Sequence, residues 1–392
     1  MSARSNGHVH SGQAHLNRVL VISFSDLAND PRVNRQIRLL STRFRVSAAG
    51  TAKPGLENVD YLPLQDRPRS LTHKALGGMR LKLGQYERYY WADPRVSSAL
   101  ALLADQRFDV IVANDLLTLP LALKVSKGAS VIHDAHEYSP REYDDSWLWR
   151  FFIQGYNEYL CRRYLPACSG ILTVCEGIAR EYQAQFGVNP AVMLNAPAYV
   201  NLSAGETRSD TVRMIHHGGA QPGRKIEQMI AMMDHLDERF HLDLMLLPSV
   251  PRYLDRLKSL VAGRSRLRVL PPLPPEGLPS RLNEYDIGVY LLAPNSFNNR
   301  HALPNKFFDF IQARLAVAIG PSPEMARLVR QYGCGVISDD FTPEALAASL
   351  NKLTGADIDR FKQASHAAAK ELCFEKNAPI LLKMVERVLG NA

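Results

Sequence analysis

Two series of short, nearly unbroken apolar segments, separated by stretches with helical spacing, constrain this chain more than any other feature of it. The first series is RVLVISF (18–24), FRVSAAG (44–50), DVIVAND (109–115), SVIHDAH (130–136) and GILTVCE (170–176). The second is VRMIHHG (212–218), HLDLMLL (241–247), RLRVL (266–270), DIGVYLL (286–292) and AVAIG (316–320). Val33, Ile37 and Leu40 recur at helical spacing in the first series, and Ile226, Met229, Ile230, Met233 and Leu236 in the second. Strands that are apolar on both faces and alternate with helices belong to parallel sheets covered on both sides. The expected class is therefore α/β, with two Rossmann-like, doubly wound domains facing a cleft. A length of 392 residues, about twice the usual domain size, agrees.

The polar stretch YVNLSAGETRSD reads as a linker between the two series. The expected division is a disordered lead-in (1–16), a first domain (17–198), a hinge (199–211), a second domain (212–371) and a terminal segment (372–392). The lead-in is polar and lacks the apolar region of a signal peptide. No apolar run approaches the roughly 20 residues of a membrane-spanning helix. Five cysteines, an odd number without a CxxC pair, argue against a disulfide framework or a zinc site and favour the cytosol. Forty-seven basic against 39 acidic residues give a net charge of +8. That balance favours anionic partners: nucleic acid, a phosphate-bearing substrate or an acidic membrane surface.

The motifs choose among them. FSDLANDPRVNRQIRLL follows the first strand, with Asp30 as N-cap and Pro31 at the first helical position. The loop Phe24–Asn29 leaves the carboxyl end of a parallel strand, where open α/β sheets bind ligands. Ser25, Asp26 and Asn29 are thus expected on the acceptor side, as are Asp115 and Glu137 near the ends of two further strands. HDAHEYSP (133–140) offers two histidines and two carboxylates, but successive strand residues alternate faces, so the spacing suits a metal poorly. His136 is expected to project into the cleft, with Glu137 capping or orienting nearby.

HHGGAQPGRKIEQMIAMM (216–233) reads as strand, glycine-rich turn and helix. Glycines allow close backbone approach, and a helix start offers unpaired N–H groups to a phosphate. Arg224 and Lys225 there oppose the helix dipole unless an anion binds; the alternative is a tight turn with solvated charges. In HALPNKFFDFIQARLAVAIG (301–320), Pro304 opens a helix with Lys306 in its first turn and Asp309 about one turn on. A diphosphate beside Lys306 and a sugar hydroxyl beside Asp309 would satisfy both; otherwise the two pair with each other. The triplet Asp357–Asp359 fits helix capping better than metal binding. Finally, residues 67–91 and 146–160 mix basic and aromatic side chains. They suit an anionic membrane surface, single-stranded nucleic acid or plain core packing.

Taken together, NDPRVNRQ, VANDLLTLPLAL, HDAHEYSP, ILTVCEGIAREY, LNAP, HHGGAQPGRKIEQMI, LPNKFFDFIQA and QYGCGV resemble a GT-B glycosyltransferase, most closely the retaining glycosyltransferase family 4, from about Val19 to Val385. The resemblance implies a nucleotide-sugar donor held mainly by the second domain. It also implies a final helix, LCFEKNAPILLKMVERVL (372–389), that crosses back to the first domain. Gly218, Gly219 and Arg224 match the family's glycine-rich turn and diphosphate-binding cation. Pro304, Asn305 and Lys306 match its stretch beside the phosphates, and His136 its cleft histidine near the transferred sugar. Asn195 belongs to the interdomain segment. Asp309 stands where the family usually has a ribose-holding glutamate, and His301 where a second glutamate often touches the donor sugar. Arg314 replaces a common helix-ending glycine, Ala316 a common proline and Cys175 a frequent serine.

The function this implies is sugar transfer from a nucleoside diphosphate sugar to a hydroxyl acceptor, a glycan or lipid-linked glycan precursor, with retention at the anomeric carbon. Arg224 and Lys306 would stabilise the departing diphosphate and His136 would position the sugar, with no metal and no other cofactor. The expected location is cytoplasmic, peripheral on the inner membrane face, and nucleic acid is not an expected partner. The alternatives are a sugar-nucleotide 2-epimerase and a catalytically silent GT-B subunit that binds a partner enzyme.

Overall fold

The computed structural model describes residues 16–66, 70–208 and 210–390. The lead-in and the first residues of the basic stretch at 67–91 thus lie outside the described residues. Seven parallel strands form the first sheet: β1 (Arg18–Ile22), β2 (Arg45–Gly50), β3 (Asp60–Pro63), β4 (Val110–Asn114), β5 (Ser130–Ala135), β6 (Gly170–Thr173) and β7 (Ala191–Val192), in the order β3-β2-β1-β4-β5-β6-β7. Six form the second: β8 (Val212–Gly219), β9 (Phe240–Leu247), β10 (Leu267–Leu270), β11 (Ile287–Tyr290), β12 (Ala316–Ile319) and β13 (Gly335–Ile337), in the order β10-β9-β8-β11-β12-β13. All ten expected strands are present. In each sheet the order reverses beside the first strand, β1 or β8, which opens a crevice at the carboxyl ends.

Local sequence explains the elements that shape this crevice. Helix Pro31–Leu40 starts where the Asp30 carboxylate accepts from the Val33 N–H at 3.1 Å and Pro31 presets the first turn. It buries Val33, Ile37 and Leu40 against β1 and β2. Arg32, also buried, forks onto both oxygens of Asp134 at 2.7 Å. A paired buried charge of this kind is costly to break from one side, roughly 3–5 kcal/mol.

Helix Phe374–Gly390 lays Leu381, Val385 and Val388 into the cluster formed by Val19, Val21 and Val110 of the first sheet. The Phe374 N–H donates to the Pro197 carbonyl at 2.7 Å, and Asn377 accepts from the Leu194 N–H at 3.2 Å. The last helix therefore packs on the first domain.

The stretch 199–211 is less free than a hinge of polar residues suggests. Arg314 Nη2 donates to the Val200 carbonyl at 2.6 Å, and the Thr207 N–H donates to Asp359 at 2.8 Å. Thr207 Oγ1 also donates to Asp286 at 3.2 Å. These contacts tie the stretch to the second domain. Arg314 ends the helix Asn305–Gln312 at φ 64°, the left-handed conformation that favours glycine, and its guanidinium bonds to three backbone carbonyls around it. Asp357 completes a capping box with Thr354, as expected, while Asp359 serves the linker.

Candidate active site

The carboxyl ends of the two sheets face each other across two adjoining cavities of about 540 and 330 Å³. The larger lies in the first domain, and the smaller lies between the domains. His136, Glu137 and Glu142 line both.

On the second domain, β8 ends in His216-His217-Gly218-Gly219, and the helix Asn305–Gln312 starts beside it. Gly218 takes φ +126°, and a Cβ there would stand 3.0 Å from Lys306 Nζ, so glycine is what lets this ammonium reach the turn. Lys306 Nζ sits 4.4 Å from the Tyr290 ring centroid and 3.4 Å from His216 Nε2. Arg224 donates to the Tyr290 hydroxyl at 3.1 Å. Two cations thus meet over one tyrosine at the end of β11. Burial, and secondarily Arg224, pushes Lys306 down to about 7. Burial also pushes Asp309 up to about 7, against the opposing pull of Arg35 and Lys306. His217, driven to about 3 by burial and Lys306, stands 3.5 Å from Asp309. The buried Asn305 Oδ1 and His217 Nε2 have no hydrogen-bond partner among the described residues. Two cations crowded at one tyrosine are what an anion bound there would offset.

The turn after β8 differs from the expected helix start. Pro222–Arg224 is a single 3-10 turn, and the helix that follows, Glu227–Met232, has only six residues. Its first turn already holds Glu227, whose carboxylate accepts from the Tyr253 hydroxyl. Arg224 reaches the cavity, but Lys225 is exposed at φ 49° and lines neither cavity. Of the two cations, only Arg224 belongs with Lys306. Pro304 and His301 both line the smaller cavity. Gly219 sits at the same turn, against Ser249.

On the first domain, His136 Nδ1 is 3.2 Å from Asp115 Oδ1, and Nε2 is 3.1 Å from Asn114 Oδ1 and 3.4 Å from Asp134 Oδ2. Burial would lower its pKa, but the carboxylates of Asp115 and Asp134 outweigh it and raise it to about 8. His136 is therefore mainly protonated at neutral pH. Asp115 is held at φ 63°, ψ 153°, a conformation almost confined to glycine, at the end of β4. Its neighbour His133 is instead a core residue, bonded through Nδ1 to the Ala113 carbonyl at 3.1 Å and pushed down to about 4 by burial.

Ser25, Asp115 and Glu137 line the larger cavity together with His136, so three of the expected acceptor-side residues meet the expected cleft histidine. Asp26 and Asn29 do not join them. Asn29 Nδ2 donates to Asp26 Oδ2 at 2.8 Å and closes a turn outside both cavity walls. Three residues that sequence reasoning did not select pack against the site residues. Arg35 donates to Asn195 at 2.5 Å and acts electrostatically on Asp309 across the domains, which its place one turn after Arg32 in NDPRVNRQ could have indicated. Tyr290 and His216 were legible only as strand residues.

The aromatic stretches divide. Tyr86, Tyr89, Tyr156 and Tyr159 pack on one another in the interior. Leu76, Met79 and Leu83, and Trp147, Leu148 and Phe151, are exposed at helical spacing, with Lys82 Nζ 5.0 Å from the Phe151 ring.

Comparison with known proteins agrees with this arrangement. Residues 32–197 match the family described as "Glycosyl transferase 4-like domain". No curated protein matches the sequence significantly. Among solved structures, Anabaena Alr3699/HepE in complex with UDP-glucose aligns over 96% of this chain and 100% of its own, with TM-score 0.67 and 13% identity. Sucrose-phosphate synthase from Thermosynechococcus elongatus aligns over 96% and 99%, with TM-score 0.70 and 13% identity. The α,α-trehalose 6-phosphate synthase from Burkholderia multivorans aligns over 96% and 99%, with TM-score 0.66 and 10% identity. The chain thus has the GT-B fold over nearly its whole length, and residues 32–197 are similar to the glycosyl transferase 4-like domain.

Proposed function

We propose that the protein transfers a sugar from a nucleoside diphosphate sugar to a hydroxyl acceptor, with retention and without a metal. The observation that carries this reading is the meeting of Arg224 and Lys306 at Tyr290, with Arg224 lining the same cavity as His136. In the step, the bond from the anomeric carbon to the diphosphate oxygen breaks and that oxygen keeps the electron pair. The acceptor oxygen bonds to the same carbon from the same face, and its proton passes to the departing phosphate. Arg224 and Lys306 offset the charge that builds on the diphosphate, the kind of preorganised electrostatics that usually dominates catalysis. Protonated His136, locked between Asp115 and Asp134, positions the sugar. Asp309 holds a donor hydroxyl, where the family's glutamate would. Incubation with UDP-, GDP-, ADP- and dTDP-sugars and simple glycan acceptors, read by proton NMR, tests it. The donor's anomeric configuration should reappear in the product and persist in EDTA; inversion, or strict dependence on a divalent ion, would refute the respective part.

The acceptor is proposed to be a glycan or lipid-linked glycan precursor. Of the exposed large apolar residues, Leu76, Met79, Leu83, Trp147, Leu148 and Phe151 gather on two touching helices with exposed Lys74, Lys82 and Arg150. Apolar side chains ringed by cations suit an anionic bilayer surface. Trp149 and Ile153, on the same helical stretch, wall the larger cavity. Sedimentation with vesicles of phosphatidylcholine and phosphatidylglycerol should pull down the protein, and Trp147→Ser with Phe151→Ser should release it. No helix among the described residues is long and apolar enough to cross a membrane.

A further inference from the structure

The segment that leads into the donor helix also bridges to the first domain. Helix Phe297–Arg300 and the residues after it run from β11 to the helix Asn305–Gln312, and Asn298, His301 and Pro304 line the smaller cavity. At one end, Asn298 Oδ1 accepts from the Tyr138 N–H at 2.9 Å, and the Phe297 N–H donates to Asp144 at 3.1 Å. At the other end, Cys175 Sγ donates to the His301 carbonyl at 3.3 Å. Both ends therefore rest on the first domain.

Behind His301 lies Glu324, in the first turn of helix Pro323–Tyr332 and only 2% exposed. Its Oε1 accepts from the Gly177 N–H at 2.9 Å and stands 3.4 Å from His301 Nδ1. Gly177 opens the helix Glu176–Phe186 of the first domain, so a carboxylate of one domain satisfies a free N–H at the start of a helix in the other. Glu324 Oε2 has no hydrogen-bond partner among the described residues, so Oε1 alone faces the Gly177 N–H, the His301 ring and, at 4.0 Å, Arg180 of the same first-domain helix. A Cβ on Gly177 would overlap the His301 ring and the Glu324 carboxylate, so the approach needs glycine there. A buried charge held by so few partners is costly to leave exposed to nothing, which makes the contact close to all-or-none.

We infer that Glu324 is a positioning residue: it clasps the two domains through Gly177 and, through His301, fixes the wall of the donor cavity to that closed arrangement. The inference rests on the proposed donor site but concerns a residue outside it. Opening the cleft must part Glu324 from Gly177, and the His301 wall then loses its support. Binding of a nucleoside diphosphate to Arg224 and Lys306 alone does not need the clasp, whereas transfer between the domains does.

The test uses the full chain and its Glu324→Ala, Glu324→Gln and Gly177→Ala variants. Small-angle scattering and hydrogen exchange at residues 176–178 are read without ligand. UDP affinity is read by calorimetry, and turnover by transfer or by hydrolysis of the sugar donor. Glu324→Ala and Gly177→Ala should expand the scattering radius and speed exchange at 176–178. UDP affinity should stay within about twofold, while turnover falls roughly tenfold to a hundredfold, the range of a lost charge-assisted hydrogen bond. Glu324→Gln keeps an acceptor for the Gly177 N–H but loses the charge facing His301, and should recover the scattering radius and part of the turnover. An unchanged radius and unchanged exchange in Glu324→Ala would overturn the clasp, and so would a loss of UDP affinity as large as the loss of turnover. If the unmodified chain binds no nucleoside diphosphate, the proposed function fails instead, and the two ligand-free measurements still decide the clasp.

Discussion

The two rims of the cleft are built from opposite charges. On the second domain, Arg224 and Lys306 meet at Tyr290, and the acid of that domain nearest Lys306, Asp309, is itself pushed up to about 7. On the first domain, Asp115, Asp134, Glu137 and Glu142 gather around His136 and a larger, aromatic-walled cavity. Glu142 is pushed up to about 7 by burial and by the nearby carboxylates of Glu137 and Asp115. A cationic rim suits a diphosphate; an acidic rim repels one and suits a neutral, hydroxyl-bearing acceptor. Under the proposed function, that asymmetry would separate the two substrates before either binds. It breaks most severely at the donor rim. Arg224→Ala and Lys306→Ala should each lower kcat/KM by about a hundredfold to a thousandfold, the range seen when one preorganised charge is removed. Glu142→Gln should leave UDP affinity within about twofold. Near-normal turnover in both donor-rim variants would mean that the cations serve some other anion.

What the sequence made legible follows from how locally each feature is determined. β1, β4 and β11 are nearly continuous apolar runs because both faces are buried, and their pattern alone marks them as strands of parallel sheets. β3, β7 and β13 lie at sheet edges, are two to four residues long and contain no fully buried residue, so no pattern announces them. The same division holds in the site. Lys306 and Asp309 were legible because one helical turn fixes their relation. Lys225 was not: the chain turns through φ 49° there and enters a short helix two residues later, so its side chain leaves the cleft. Asp26 and Asn29 were drawn to the cleft by their place after a strand, but a three-residue turn lets them satisfy each other. Arg35, Tyr290 and Glu324 act across strands or across domains, and such relations exist only in the folded chain. His301 and Asp309 both lie on the second domain, with the buried Glu324 carboxylate 3.4 Å from His301 and His217 3.5 Å from Asp309.

The asymmetry also predicts how donor binding responds to pH, with a smaller effect than removal of a cation. Burial and Arg224 disfavour the charge on Lys306 and push its pKa down to about 7. A diphosphate favours the charged form, so binding raises that pKa and takes up a proton wherever free Lys306 is neutral. Below pH 7 the ammonium is already present and affinity is flat on its account. Above pH 7 the affinity for UDP should fall, by up to about tenfold for each unit until the bound-state pKa is reached. Asp309, also near 7, becomes an anion over the same window and works in the same direction. His216 and His217, both held well down by burial, stay neutral throughout and contribute nothing to the slope. Calorimetry of UDP binding from pH 6 to 9, in buffers of different ionisation enthalpy, would show proton uptake that grows from pH 6 toward 8. Lys306→Arg, whose guanidinium stays charged, should flatten the profile, leaving only the weaker Asp309 component. A wild-type profile with no uptake, or uptake that survives Lys306→Arg in full, would show that the charge on the donor rim is fixed rather than induced by its ligand.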